Sequence, residues 1–327
     1  MKDLFHYAGN NAENQTPTFL IMSPQKEVDM QFYSPLRYPG GKGRLAVLLK
    51  DVISENEIYD GTYIEPYVGG AGMALALLIE EYVWKIIIND IDPAIFAFWH
   101  TLLYKTEWLR KQIHDTPVNL DQWHIQKNIF DNSDEFPTEQ LGFATFFLNR
   151  TNRSGILSGG VIGGKQQNSK YRIDARYNKP SLDKRIEVIA RHRNRINLYN
   201  MDAAEFLQQI TGELNGKVLF YFDPPYYHKG GLLYTNHYKH ADHEKMAETI
   251  KDLNHPWIVT YDDAPVISQF YKEVPSLRFS TTYSANLERL KGSEIMFYKG
   301  IDLPVYVKKM KFPFFSRYRL RDLAVAE

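Results

Sequence analysis

The chain has 327 residues, 39 Lys plus Arg against 39 Asp plus Glu, and no cysteine. That length allows one large α/β domain or two smaller ones, while the missing cysteine excludes disulfides, thiolate metal sites and cysteine nucleophiles. No run approaches the roughly 18 apolar residues of a membrane-spanning helix, and no basic start precedes an apolar block, so a cytoplasmic protein without a membrane partner is expected.

Residues 1–33 are polar, lack sustained periodicity and read as a flexible leader. Pro35-Leu36-Arg37-Tyr38-Pro39-Gly40-Gly41-Lys42-Gly43 then opens a helix marked by Leu45, Leu48, Leu49, Val52 and Ile53. A glycine turn before a helix offers backbone N–H groups to an anion. It is not a P-loop, because Leu36 replaces the first glycine and Gly43 follows Lys42. Tyr63-Ile64-Glu65-Pro66-Tyr67-Val68-Gly69-Gly70-Ala71-Gly72 reads as a strand, a glycine turn and the start of a helix. Small residues such as Gly69 and Gly70 let the backbone approach a cofactor. The next strand, Lys85 to Asn89, ends at Asp90, about twenty residues past the glycines, where a carboxylate typically binds ribose hydroxyls. A nicotinamide dinucleotide and S-adenosylmethionine both fit this pattern; the turn lacks the full GxGxxG spacing that favours the first.

Residues 93–149 read as helical, with Ile95, Phe96, Phe98, Trp99, Leu102 and Leu103 on one apolar face. His100, His114 and His124 lack paired ligand spacing, so no metal site is expected. From Arg150 to Arg195 there are 12 Lys plus Arg against 3 Asp plus Glu, interleaved with Gly, Asn, Gln and Ser. Flexible backbone, amides and arginines suit phosphate clamping and base reading, which makes Arg150, Asn152, Arg153, Lys165 and Arg172 candidate DNA contacts. A short strand at 196–199 follows, then a helix with Asp202 as its N-cap.

Val218-Leu219-Phe220-Tyr221-Phe222 is an apolar strand that ends in Asp223-Pro224-Pro225-Tyr226-Tyr227. Both prolines hold φ and lack an N–H, so this exit is rigid, with a carboxylate, carbonyls and aromatic faces close together. In open α/β sheets, ligands bind at such strand ends. Tyr227 either extends the aromatic face or simply packs. Helices at 241–253 and 264–271 and strands at 257–261, near 274–281 and at 294–299 continue the α/β alternation. The stretch 308–327 is a basic, aromatic tail.

Arg37-Tyr38-Pro39-Gly40-Gly41-Lys42, the Glu65 to Gly72 turn, Asn89-Asp90-Ile91-Asp92, Phe147-Leu148-Asn149-Arg150-Thr151-Asn152 and Asp223-Pro224-Pro225-Tyr226 occur in this order. Over residues 34–300 the chain thereby resembles the Dam-like N6-adenine DNA methyltransferases. The resemblance implies a Rossmann-like α/β sheet that binds S-adenosylmethionine, with a mostly helical target-recognition domain at 100–195 inserted between catalytic segments 34–99 and 196–307. It implies that Tyr38, Gly41 and Lys42 contact the cofactor together with Glu65, Pro66, Gly69 and Gly70. Asp90 would take the ribose, and Asp223 would lie where cofactor and target base meet. Double-stranded DNA is the implied partner; the sequence leaves open whether a restriction endonuclease, acting separately, accompanies the enzyme. Dam-like readers of GATC follow Asn-Arg-Thr with Cys-Phe-Asn-Gly-Leu, whereas this chain continues Asn152-Arg153-Ser154-Gly155-Ile156. A GATC target therefore does not carry over.

Asp223, Pro224, Pro225 and Tyr226 suit the chemistry. Acceptors on the N6 hydrogens stabilise charge as it develops on nitrogen, and a tyrosine face can stack an extruded base. Methylation of RNA adenine or of cytosine N4 keeps the same cofactor. An oxidoreductase built on the glycine turn and Asp90 leaves the Asp-Pro-Pro-Tyr exit and the basic stretch without a role.

Overall fold

Apolar runs of five or so residues, separated by helical patterns, build a parallel sheet whose faces are both covered. The computed structural model describes residues 33–37, 45–227, 238–282 and 291–309. The leader before Tyr33, the loop residues Tyr38, Gly41 and Lys42, and nearly all of the basic tail lie outside the described residues. In chain order the first helices are α1 (Ala46–Glu55), α2 (Gly72–Ile79), α3 (Pro93–Tyr104), α4 (Thr106–Asp115), α5 (Leu120–Asp131), α6 (Thr138–Thr151) and α7 (Lys179–Arg191). They are followed by α8 (Ala203–Thr211), α9 (His240–Lys251), α10 (Pro265–Phe270) and α11 (Val305–Lys309).

Strands β1 (Thr62–Glu65), β2 (Lys85–Asn89), β3 (Ile196–Tyr199), β4 (Val218–Phe222) and β5 (Trp257–Asp262) pair in parallel. β7 (Lys291–Lys299) inserts antiparallel between β5 and β6 (Ser276–Thr282), giving the order β3-β2-β1-β4-β5-β7-β6. This is the expected Rossmann-like α/β architecture. The order reverses between β1 and β4, so a crevice opens at their carboxyl ends.

Alternation along each strand sends successive side chains to opposite faces. Tyr63, Ile86, Ile88, Leu219 and Tyr221 pack toward α1, α2 and α3; Ile64, Ile87, Phe220 and Phe222 pack toward α8, α9 and α10. Helix starts are set locally: Asp92 accepts from Ala94 N at 2.8 Å with Pro93 next in the chain, and Asp202 accepts from Ala204 N at 2.9 Å.

α4 to α7 lie between β2 and β3, and one hydrophobic cluster runs from the sheet through α3 into α6 and α7. α3 itself crosses residue 100 without a break. Gly142 lets α3 and α6 approach closely: a Cβ there would sit 2.3 Å from Thr101 Oγ1 and 2.4 Å from the Ala97 carbonyl oxygen. No helix among the described residues is long and apolar enough to cross a membrane.

Candidate active site

The carboxyl edge of the sheet collects acids. Glu65 ends β1, Asp90 follows β2, Asp223 follows β4 and Asp262 ends β5. The Arg-rich stretch lies between β2 and β3, so a chain of zero net charge separates an acidic edge from a basic insertion.

Glu65 is buried. Its Oε1 accepts from the Tyr63 hydroxyl at 2.9 Å, and its carboxylate also accepts the Ala74 backbone N–H. Ala71, at the N-cap of α2, has φ +51 and makes no side-chain cap, so Glu65 reaches across to cap that helix. Burial pushes the Glu65 carboxyl up to about 8, and the nearby Asp223 charge adds to the rise; the two hydrogen bonds oppose it.

Asp90 Oδ2 accepts from Gly69 N at 2.8 Å and Oδ1 from Asp92 N at 3.0 Å. Burial raises its carboxyl to about 7 against these bonds. Each carboxylate oxygen carries a second lone pair, so capacity remains for a diol. From the other side, Trp99 Nε1 donates to the Gly69 carbonyl at 2.9 Å, so the glycine turn is fixed at both its N–H and its C=O. A Cβ at Gly72 would meet nothing within 4 Å, which leaves open space at the start of α2. Open space over a glycine turn and a diol acceptor together fit S-adenosylmethionine.

Asp223 and Pro225 are half-buried, and Pro224 is buried. The Tyr221 hydroxyl lies 2.6 Å from Thr260 Oγ1, which donates to Asp223 Oδ1 at 3.4 Å. Tyr226 is only 3% exposed, and its hydroxyl donates to Glu294 Oε1 at 3.0 Å on β7. Drawn inward by that bond, the ring is not the open stacking face expected. Tyr227 packs: its N–H donates to Asp262 Oδ1 at 2.9 Å and its ring lies against His240 and His243.

Among the expected DNA contacts, Arg153, Lys165 and Arg172 are exposed, and Arg150 is half-buried. Asn152 is a correction. Fully buried, it accepts from Trp123 Nε1 at 2.7 Å and donates to the Ile156 and Leu157 carbonyls at 3.0 Å, so its amide organises the insertion and cannot reach a base. Asn149 also does more than its motif indicated. Its Oδ1 accepts from Arg37 N at 2.7 Å, and its Nδ2 donates to the Arg37 carbonyl at 2.8 Å and to the Gly155 carbonyl at 2.9 Å. Gly155 is required there, since it has φ +79 and a Cβ would lie 2.3 Å from the Arg37 carbonyl oxygen.

Asn89 is a further residue that the sequence reading left without a role. Completely buried, its Nδ2 donates to the Pro66 and Met201 carbonyls at 3.0 Å each, and its Oδ1 accepts from Met201 N at 3.0 Å. One amide thus ties the exits of β1, β2 and β3. The only hint was an asparagine at the end of a solid apolar strand.

A family model for the D12 class N6 adenine-specific DNA methyltransferases matches residues 38–285. The chain belongs to that family. It is an adenine-specific DNA methyltransferase with S-adenosylmethionine as methyl donor. None of the curated proteins matches it in sequence. Among solved structures, a SAM-dependent methyltransferase from Agrobacterium tumefaciens aligns at 9% identity over 78% of this chain and 62% of that one, with a TM-score of 0.38. The rRNA methyltransferase aviRa from Streptomyces viridochromogenes aligns at 14% identity over 84% and 94%, with a TM-score of 0.37. Likenesses this distant add nothing to the assignment, which rests on the family match.

Proposed function

We propose that the methyltransferase acts on an adenine swung out of duplex DNA into the crevice between β1 and β4, with Asp223 and Pro224 as acceptors for its N6 hydrogens. One observation carries this reading: the Asp-Pro-Pro-Tyr exit stands at the point where strand order reverses, with Asp223 electrostatically coupled to Glu65 on the neighbouring strand. Extrusion costs a few kcal/mol, and stacking on an aromatic ring returns about 1–3 kcal/mol. The cofactor supplies a methyl group already activated on a sulfonium. The protein therefore contributes alignment and charge stabilisation. The Asp223 carboxylate favours localisation of the N6 lone pair toward the methyl and offsets positive charge as it forms. Tyr38, Gly41, Lys42, Glu65, Pro66, Gly69, Gly70 and Asp90 form the cofactor side in this reading. Arg150, Arg153, Lys165 and Arg172 form the DNA side, with residues 100–195 as the recognition domain.

Asp223→Ala is expected to lose nearly all methyl transfer while its circular dichroism stays that of the wild type. Full activity in that variant would sink the role of Asp223. Modification-sensitive sequencing of DNA from cells expressing the protein reads base and context together. Methylcytosine, or modified RNA in place of DNA, would overturn the adenine N6 reading. The methylated sequence would also show whether the enzyme protects the sites of a companion restriction endonuclease.

A further inference from the structure

Arg150, Arg176 and Arg185 of the Arg-rich insertion lie near Arg37, and among the described residues none of the four has a counter-ion. Arg150 Nε donates to the Arg176 carbonyl at 2.8 Å, Arg37 Nη1 to the Asn152 carbonyl at 3.1 Å and Arg185 Nη1 to the Ser34 carbonyl at 2.9 Å. These bonds use one N–H from each of three guanidiniums, each of which carries five. Carbonyl dipoles satisfy N–H groups, but they do not neutralise full charges. Four other arginines are paired: Arg110 with Asp183 at 2.7 Å, Arg191 with Glu187 at 2.6 Å, Arg195 with Glu81 at 2.9 Å and Arg278 with Asp263 at 3.1 Å. Among the described residues, none of Arg37, Arg150, Arg176 and Arg185 makes an ion pair.

Their mutual proximity is felt. Burial and the charges of Arg37, Arg185 and Arg176 push the Arg150 guanidinium down to about 9, and burial, with a smaller share from Arg176, lowers Arg37. A second observation points the same way. Tyr177, which follows the carbonyl of Arg176 that holds Arg150, is 6% exposed, and its hydroxyl has no hydrogen-bond partner among the described residues. A buried hydroxyl beside converging guanidiniums fits an anion with several acceptor oxygens.

We propose that Arg37, Arg150, Arg176, Arg185 and the Tyr177 hydroxyl form one site for a backbone phosphate of the DNA strand. The inference rests on DNA being the substrate and adds a sequence-independent anchor at the base of the insertion. It gives Arg150 a phosphate instead of a base edge. A phosphodiester is favoured over the cofactor's carboxylate by position, since each carries a single charge: Arg150, Arg176, Arg185 and Tyr177 all belong to the insertion between β2 and β3 and not to the carboxyl edge of the sheet that holds Gly69 and Asp90.

Arg176→Gln tests it, because the Arg176 side chain is exposed and the substitution keeps the carbonyl that holds Arg150. A random-sequence duplex is titrated across a salt series by fluorescence anisotropy, and S-adenosylmethionine affinity is measured by calorimetry. The variant is expected to bind DNA about tenfold more weakly, with the log–log salt slope shallower by about 1 and cofactor affinity unchanged. Arg176→Lys should restore the slope, and Tyr177→Phe should weaken binding with the slope intact. A slope that Arg176→Gln leaves unaltered would overturn the phosphate site alone. Loss of cofactor affinity with DNA binding intact would reassign the cluster to the cofactor carboxylate. If the wild-type protein shows no salt-dependent duplex binding, the DNA reading fails along with the site.

Discussion

Glu65→Gln separates the helix-capping and electrostatic duties of one buried acid. The carboxyl titrates near 8 in the fold and near 4.5 when unfolded. Between those values the folded protein holds a proton that the unfolded chain has released, so stability falls as pH rises. A gap of three to four pH units corresponds to about 5 kcal/mol once pH exceeds both values, a large share of the roughly 5–15 kcal/mol of a folded domain. Glutamine keeps a carbonyl oxygen for the Tyr63 hydroxyl and the Ala74 N–H and has no charge to bury. At pH 5 the variant should be less stable by about 1 kcal/mol, the worth of one imperfect hydrogen bond; at pH 8.5 it should be more stable by several. Urea denaturation of the cofactor-free proteins from pH 5 to 8.5 should give curves that cross. Asp90, raised to about 7, leaves a residual decline in both. Parallel curves would refute the argument, because they would mean that Glu65 is ionised in the fold at every pH tested.

Gly142→Ala should lower stability by about 3 kcal/mol despite the better helix propensity of alanine, because the new methyl meets Thr101 Oγ1 at 2.3 Å; a gain in the urea midpoint would refute the close approach of α3 and α6. Asn152→Ala should cost about 3 kcal/mol by stranding the Trp123 indole N–H and two carbonyls. Unchanged stability with a selective loss of DNA affinity would return Asn152 to base reading.

The parallel half of the fold was legible because strands buried on both faces are apolar throughout, and each is followed by a helical pattern. The place of β7 was not, since an apolar run has no direction: 291–299 reads the same whether it adds at the edge or slips between β5 and β6. Glu65, Asp90 and Asp223 could be read because each closes an apolar strand, whereas Asp262 at the end of β5 was not singled out. The second duties of Glu65 and Trp99 could not, as they depend on chain segments that meet only in three dimensions. Asn152 misled for the same reason: an amide among arginines and glycines reads as exposed, and only a tryptophan 29 positions away buries it.

The Asn89 amide that joins three strand exits bears on the thermodynamics of ligand capture. A binding floor assembled from separate loops must be ordered when the ligand arrives, at a cost in entropy for every segment immobilised. Here one side chain orders the stretches after β1, β2 and β3 during folding, so the cofactor meets a preorganised floor. Removal of that amide would register in calorimetry as a more negative binding entropy.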